Sequence, residues 1–563
     1  MLSTATKICL AALLLALLSC SEDLLDEQTP QIITTQSLYT SFDGFQAGVN
    51  GLYAQARQER TGRTVFDNEA NRLRAEQFMS GVDNCVTNVQ GGEWGNLHED
   101  WANDHNPFHQ GTEANFTWLY ATINAANTIV GQASERQDID WGGGEQGDRN
   151  RNYILAEARA IRAWAYRHLT YGWGDVPLTL EESTGTSIRT DWQRSPVAEV
   201  RAQMLEDWLF AEQHIPVEPM QDGRMTKGAV QTYLAELYLT LGDAESALTW
   251  ADRCVNTPEY ALITERYGVS SDAPGVVYMD MFQEGNAKRS EGNTEALWVL
   301  EHEFGVTGGG RSIMRRWTVN RYDQIRVGDV NPFVFTVERG GRGIARMQPS
   351  LYWFDHFEDG DDRFSEFAVR KYHVLQDGSD PGAFGRADRL PEGFNYGDTI
   401  FLDNLIEINQ ETKRTPASYR RPYSRKYESL LLQNGPTEVY QFNDQVYLRL
   451  ADTYLLKAEA EHLLGQNEAA AETLNLIRRR ANASEIDAGD VDMEFILDER
   501  SRELYLEEHR RWTLLRTGTW LERVRRYNNN GGATASERDR LSPIPQSVID
   551  ANLTAELDQN PGF

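Results

Sequence analysis

Lysine is scarce. Only Lys7, Lys227, Lys288, Lys371, Lys413, Lys426 and Lys457 occur in 563 residues, so 48 of the 55 basic residues are Arg. Carboxylates number 85, and the formal charge is −30. That balance excludes a general nucleic-acid binder, which draws its affinity from clustered Lys and Arg on phosphates. It keeps a surface hydrated, and a saline habitat and a GC-rich genome both favour it. Cysteine is scarcer still: four in all, with Cys9 and Cys20 inside the first twenty residues. Cys85 and Cys254 are left for the body, too few for a disulfide framework. No run beyond residue 20 approaches the roughly eighteen apolar residues of a membrane-spanning helix. Also missing are H-E-x-x-H, a paired C-x-x-C and G-x-S-x-G, so the common metal-ligand and nucleophile signatures are lacking.

What is present is a foldable composition. Hydrophobic residues make up 40% and aromatics 10%, including 14 Trp, which excludes disorder as the main state. The length suggests roughly two to four domains and can bury a large core.

The first twenty residues read as an address. Lys7 gives a positive start, residues 8–18 form an apolar stretch, and Leu17-Leu18-Ser19-Cys20 resembles a bacterial lipobox. An ordinary cleavable signal that happens to contain a Cys is the plainer alternative. The lipobox reading makes residues 1–19 a signal peptide, Cys20 the lipid-bearing terminus and residues 20–35 a tether. Ser21-Glu22-Asp23 then resembles the surface-export signal of Bacteroidetes lipoproteins.

Beyond the tether the chain reads as mainly α. Residues 37–57, 115–134 and 153–171 each carry apolar side chains at three- and four-residue spacing. A Gly/Asp-rich stretch, 138–152, is expected to interrupt the pattern, and Gly172-Trp173-Gly174-Asp175 with Pro177 is a stop signal. Residues 226–255 and 447–481 each read as a helix, a Gly turn and a second helix, with Ala235 and Ala247, then Ala458 and Ala470, at the close approach. This resembles the tetratricopeptide period; two unrelated helical hairpins are the alternative. Between them the texture changes. Residues 295–304 and 333–337 read as strands, among long loops at 305–310 and 377–397.

Several motifs have a functional and a bland reading. Gly305-Val-Thr-Gly-Gly-Gly310-Arg311-Ser312 is spaced like a phosphate-cradling loop, but Arg311 stands where that loop needs Lys, so a surface loop is expected. His98, His105 and His109 lie beside Glu99, Asp100 and Asp104, yet Pro107 opposes a regular helix there, and a polar loop is preferred to a metal site. The acidic run 355–362 does not follow the calcium-loop order. Trp94 and Trp101 sit in a Gly-rich stretch without a helical stripe, and Trp317 and Tyr322 follow the loop after the central strand. Such rings either stack on a ligand such as a sugar face or anchor their loops to the body.

Taken in order, these pieces resemble the SusD/RagB family of Bacteroidetes outer-membrane lipoproteins. The resemblance rests on residues 39–53, Trp118-Leu-Tyr-Ala-Thr-Ile-Asn-Ala-Ala-Asn127, residues 156–178, Asp362-Arg363 and Arg425-Lys426-Tyr427. It continues through Leu448-Arg-Leu-Ala-Asp-Thr-Tyr-Leu-Leu-Lys-Ala-Glu-Ala460, Asp498-Glu-Arg-Ser-Arg-Glu-Leu504, Arg511-Trp512, Leu541-Ser-Pro-Ile-Pro545 and Gln559-Asn-Pro-Gly-Phe563. It implies a SusD-like fold: tetratricopeptide-type helix pairs plus a loop-rich region with a few short strands. An N-terminal helical region, 36–290, and a C-terminal region, 291–563, would form one unit. It further implies a non-catalytic surface protein that needs no cofactor or metal. Such a protein captures a glycan and passes it to a SusC-type TonB-dependent transporter. The implied ligand residues are Asp83, Asn84, Trp94, Trp101, Trp317 and Tyr322. A peptide-binding relative, a surface glycosidase and a scaffold without small ligand are the alternatives.

Overall fold

Apolar residues spaced for helices fill most of the chain up to residue 255 and again from 450, and the fold follows that division. The computed structural model describes residues 34–61, 73–87, 97–185, 187–376, 390–402, 421–429 and 432–563. Among these are eleven helices of seven residues or more. They are α1 Phe42–Thr61, α2 Gln110–Glu135, α3 Gly144–Trp173, α4 Val197–His214, α5 Lys227–Thr240, α6 Ala244–Val255, α7 Leu450–Leu463, α8 Asn467–Arg480, α9 Met493–Glu503, α10 Arg510–Arg516 and α11 Trp520–Tyr527. From α2 to α8 each helix packs on the next, so seven helices form one continuous stack. Strands are short and pair two by two in four antiparallel ladders among the described residues.

The expected helix pairs are α5 with α6 and α7 with α8. Their turn residues Gly242 and Gly465 have φ of +78° and +74°, a left-handed geometry that costs least at glycine. Thr226 and Asp243 cap α5 and α6, accepting from Ala229 N at 3.2 Å and Ser246 N at 2.9 Å. The small residues Ala235, Ala247, Ala458 and Ala470 are buried, and the Thr232 and Thr453 hydroxyls meet at 2.7 Å where α5 packs on α7.

Three local expectations are corrected. Helix α3 starts at Gly144, inside the stretch expected to interrupt it. No side chain caps its first N–H groups; Asn150 Nδ2 donates to Trp141 O at 2.9 Å and Gln146 Nε2 to Asn150 Oδ1 at 2.7 Å, tying the first turns to the preceding segment. The stop at Gly174 holds, with φ +74°. Next, Tyr447 does not begin a helix. It lies in the strand Gln445–Arg449, which pairs antiparallel with Ala296–Leu300. All residues of both strands are buried, so neither shows an alternating pattern that would reveal it. Finally, 333–337 forms no named strand among the described residues; Phe333 and Phe335 pack with Tyr322 in a small separate core.

Residues 256–444 leave the stack after α6 and return to it at α7, although α6 and α7 touch. The strand pair anchors this excursion. A buried ion network fixes the return. Arg363 meets Asp361 at 2.8 Å, Glu499 at 2.6 Å and Glu503 at 3.3 Å; Arg449 meets Glu503 and Glu507 at 2.6 Å each. Arg480 bonds Glu295 at 2.5 Å and also bonds Glu503, and Arg478 meets Glu499 at 2.8 Å. Lys426 pairs with Glu507, while its ammonium also donates to the carbonyls of Glu503 and Tyr505 at 3.0 Å. The carbonyl of Glu503 ends α9, so these cations satisfy a helix C-terminus as well as the carboxylates. The family signatures at 362–363, 425–427 and 498–504 are thus parts of one charge lattice.

Candidate functional site

Asp83 is completely buried. Its carboxylate takes Arg510 at 2.9 and 2.7 Å and Arg523 Nε at 2.7 Å. Burial alone would raise its pKa, but the two guanidinium groups hold it well below the carboxylate range. Asn84 donates from Nδ2 to Ser501 Oγ at 3.1 Å, and its carbonyl accepts from Ser350 N at 3.0 Å. Trp101 opens a one-turn helix and packs edge-on against Trp520 at 5.3 Å, with Arg511 at 5.0 Å from its ring. Trp317 is buried beneath the Arg346 guanidinium at 5.1 Å. The Tyr322 hydroxyl donates to Gly341 O at 2.8 Å, and its ring lies 5.5 Å from Phe335.

These positions correct the expectation of a ligand platform from Asp83, Asn84, Trp101, Trp317 and Tyr322. All five are interior, and the three rings anchor their loops. Their partners lie far along the chain, so no local stripe announced them as core. Trp94, Cys20 and residues 377–389 of the long loop lie outside the described residues. His98 and His105 lie in the irregular segment around the one-turn helix, and both are buried: His98 Nδ1 is 3.0 Å from Glu76, and His105 Nδ1 is 2.8 Å from Asp539. His109 caps α2 by accepting from Thr112 N at 3.3 Å.

One buried trio has metal-like composition. Glu59, His168 and His509 bring their candidate ligand atoms within 4.8 Å of one another. The hydrogen bonds assign the ring protons against coordination. Arg167 Nη1 donates to His509 Nδ1 at 3.0 Å, so Nε2 carries the proton that faces Glu59 at 2.9 Å. Trp512 Nε1 donates to His168 Nδ1 at 3.1 Å, which places that ring's proton on Nε2, 3.7 Å from Glu59. Neither facing nitrogen offers a lone pair. The trio is a polar core network joined by the Tyr447 hydroxyl at 2.5 Å from Glu59.

The open cleft with the richest hydrogen-bonding walls was missed by sequence reasoning. It holds about 610 Å³ and lies between α1, the segment 222–224 ahead of α5 and the loop 305–310. Arg57 on α1 clamps that loop, donating to Glu301 O at 2.7 Å and Gly308 O at 2.5 Å. Lys288 sits among Asp444 at 3.2 Å, Glu291 at 3.5 Å and Glu301 at 3.8 Å. At the open rim the Glu284 carboxyl is pushed up to about 7, first by partial burial and then by Asp444 and Glu291. Such a cleft is the size of small-ligand sites, and its carboxylates and backbone carbonyls accept hydrogen bonds from hydroxyl groups. The only sequence signal was the glycine cluster itself, and the resemblance to a phosphate loop pointed away from hydroxyls. A second cleft of about 680 Å³ lies between the C-terminal end of α3, Arg516 of α10 and the segment 537–541.

Residues 294–563 match the model of the SusD family, and residues 25–239 match a model described as "Starch-binding associating with outer membrane". The chain is 32% identical over 443 residues, 72% of either chain, to the starch-binding protein SusD of Bacteroides thetaiotaomicron. A SusD-like protein of Formosa agariphila is 25% identical over 545 residues, 91% of this chain and 89% of the other. Among solved structures, a laminarin-binding SusD-like protein superposes with a TM-score of 0.66 at 20% identity, covering 93% of this chain and all of the other. Surface glycan-binding protein A from Bacteroides thetaiotaomicron, in complex with laminarihexaose, gives 0.67 at 18% identity over 92% of this chain and all of the other. These likenesses share the helical stack and its short strands, and the sequence relationship to the starch-binding protein runs through both halves of the fold: this chain belongs to the SusD/RagB family.

Proposed function

We propose that the protein is a cell-surface glycan-binding lipoprotein, anchored through Cys20, that hands oligosaccharide to a SusC-type TonB-dependent transporter in the outer membrane. The observation that carries this is kinship to a protein named for binding starch. The polyhydroxyl character of a glycan suits the carboxylate-rich cleft beneath loop 305–310, which offers acceptors in quantity. Trp94 is retained as a stacking residue, since the other rings of the expected platform are core anchors. In this reading residues 1–19 are a signal peptide and 20–35 a tether; 36–290 and 291–563 act together as one helical unit, whose stacked helices face the transporter.

The protein acts without catalysis. A glycosidase is the second reading, favoured by the Glu284 carboxyl, which is raised to about 7 and so keeps a protonated fraction at neutral pH, as a general acid needs. Affinity electrophoresis through polysaccharide gels separates the two. Retarded migration without new reducing ends supports capture; release of sugar that survives repurification and stops with Glu284→Gln makes the protein an enzyme. Retardation by no glycan at all removes the reading.

The anchor has its own test. A lipoprotein terminus with several acyl chains holds far longer than one chain, each buried CH₂ contributing ~0.8 kcal/mol. Cys20→Ala should therefore leave folded protein in soluble fractions, while wild type sediments with membranes and brings down the transporter after detergent extraction. Salt-resistant sedimentation of the variant places the tether elsewhere.

A further inference from the structure

The chain is strongly acidic, but one stretch reverses the sign. Residues 311–346 hold eight Arg against Asp323, Asp329 and Glu338, a local balance of +5 in a chain of −30. Most arginines elsewhere in the interior have carboxylate partners, as in the return network. Among the described residues, five in this arm do not, and of these Arg315 and Arg339 donate only to backbone carbonyls. Arg311, Arg316 and Arg342 make no ion pair and no side-chain hydrogen bond among the described residues, although Arg311 lies 3.8 Å over the Tyr440 ring.

Arg316 is the most telling of these. It is 6% exposed, and its Nε and Nη1 lack any partner; Arg342 Nε is orphaned in the same way. Burial first, and then the like charges of Arg342, Arg315 and Arg346, together lower the Arg316 pKa to about 10, so four guanidinium groups share one neighbourhood. The arm is held rigidly. Arg315 Nη1 donates to Gly340 O at 2.8 Å, Arg342 N to Pro436 O at 2.8 Å, and Ile344 N to Arg316 O at 2.8 Å. A buried cation without a counterion is among the costliest arrangements in a fold, and a cluster of them is repulsive as well. A preorganised set of guanidinium forks matches planar or tetrahedral oxyanions.

We propose that this arginine arm binds an anionic group, and that the captured glycan is an acidic one bearing uronate carboxylates or sulfate esters. The proposal rests on the glycan reading above and names its ligand class: the arm takes the acid groups, and the carboxylate-lined cleft takes only uncharged hydroxyls. The two anion sources share the same guanidinium chemistry and are told apart by the choice of polymer.

The full mature chain is titrated calorimetrically with laminarin as the neutral polymer, polygalacturonate as the uronate and dextran sulfate as the sulfate ester. The expected result is that at least one polyanion binds at least tenfold more tightly than laminarin, with affinity falling as salt rises. Because the protein is itself an anion, its net charge opposes non-specific attraction of a polyanion. Arg316→Gln and Arg342→Gln should each weaken that binding at least fivefold without lowering the melting temperature, since neither removes a counterion from a protein carboxylate. The half-buried Arg342 serves if Arg316→Gln fails to fold. Laminarin binding as tightly as both polyanions would overturn the acidic ligand and leave glycan capture standing. Polyanion binding untouched by either variant would overturn the arm as its site. Binding of none of the three would take down the glycan reading itself.

Discussion

Alanine in place of Glu503 is expected to destabilise the fold by about 3–5 kcal/mol, because it leaves buried cations without their counterion. The side chain is completely buried and serves Arg449 at 2.6 Å, Arg363 at 3.3 Å and Arg480. Burial would raise its pKa, yet Arg480, Arg449 and Arg363 bring it down to about 2. Its folded pKa is therefore below the unfolded value, so its contribution is present above pH ~4.3 and is lost as pH falls towards 2. Urea denaturation of Glu503→Ala against wild type at pH 7.5 measures the effect. Glu485→Ala is the control: that carboxylate pairs with Arg479 at 2.8 Å on the surface, and its loss should change stability by less than about 1 kcal/mol. If the two variants unfold alike, the lattice contributes nothing beyond an ordinary surface pair.

Acidification should destabilise the protein already between about pH 6.5 and 5, above the ordinary carboxylate range. Five of the ten histidines are held neutral, chiefly by burial: His105, His302 and His356 are lowered to about 3, and His168 and His373 lie well below the ordinary value. In each case the unfolded chain takes up a proton near pH 6.5 that the fold refuses. Stability is thus full above pH ~6.5 and falls as pH drops through the window towards 3. Each group removes about 1.4 kcal/mol per pH unit once the unfolded form is protonated. At pH 5 the five together remove on the order of 5–10 kcal/mol, comparable to the whole stability of a typical domain. Urea midpoints at pH 7.5, 6.5, 5.5 and 5 should therefore decline steeply, with unfolding complete near pH 5 in little or no denaturant. His373→Phe should flatten the slope by about one proton's worth, since that ring already lies against Tyr322 and Phe333 at 5.0 and 5.3 Å. A flat profile between pH 7.5 and 5 would mean that these rings are not neutral in the fold.

Both expectations depend on polar residues that the sequence could place only as motifs. The helices were legible because their signal is local: a three- or four-residue period, a capping Thr or Asp, a turn Gly. The pairs α5–α6 and α7–α8 follow from that alone. The same logic failed at Gln445–Arg449, where burial on every side removes the period, and at Gly144, where the helix starts among glycines without a side-chain cap. Asp83 and Trp101 show the deeper limit. Their chemistry is set by Arg510, Arg523 and Trp520, which no spacing rule connects to them, so a core aspartate and a core indole looked like a ligand site. The cleft beneath loop 305–310 was hidden for the same reason. It joins α1 to Asp444 and to the end of a strand, and only its glycines stood out.

The separations themselves carry a consequence for the order of events in the chain's life. Asp83 and Arg510 are 427 residues apart, Glu59 and His509 450 apart, and His105 and Asp539 434 apart. Until the late segment has been synthesised, the early half has acids with no cations to neutralise them and aromatic rings with no neighbours to cover them. Contacts of such long range close slowly, because the entropy of bringing the ends together must be met first. The helices α2 to α6 pack through contacts between neighbours in the chain, but the core around Glu59, Asp83 and His105 is completed only when residues 509–539 are present, so the last segment made closes the interior of the first.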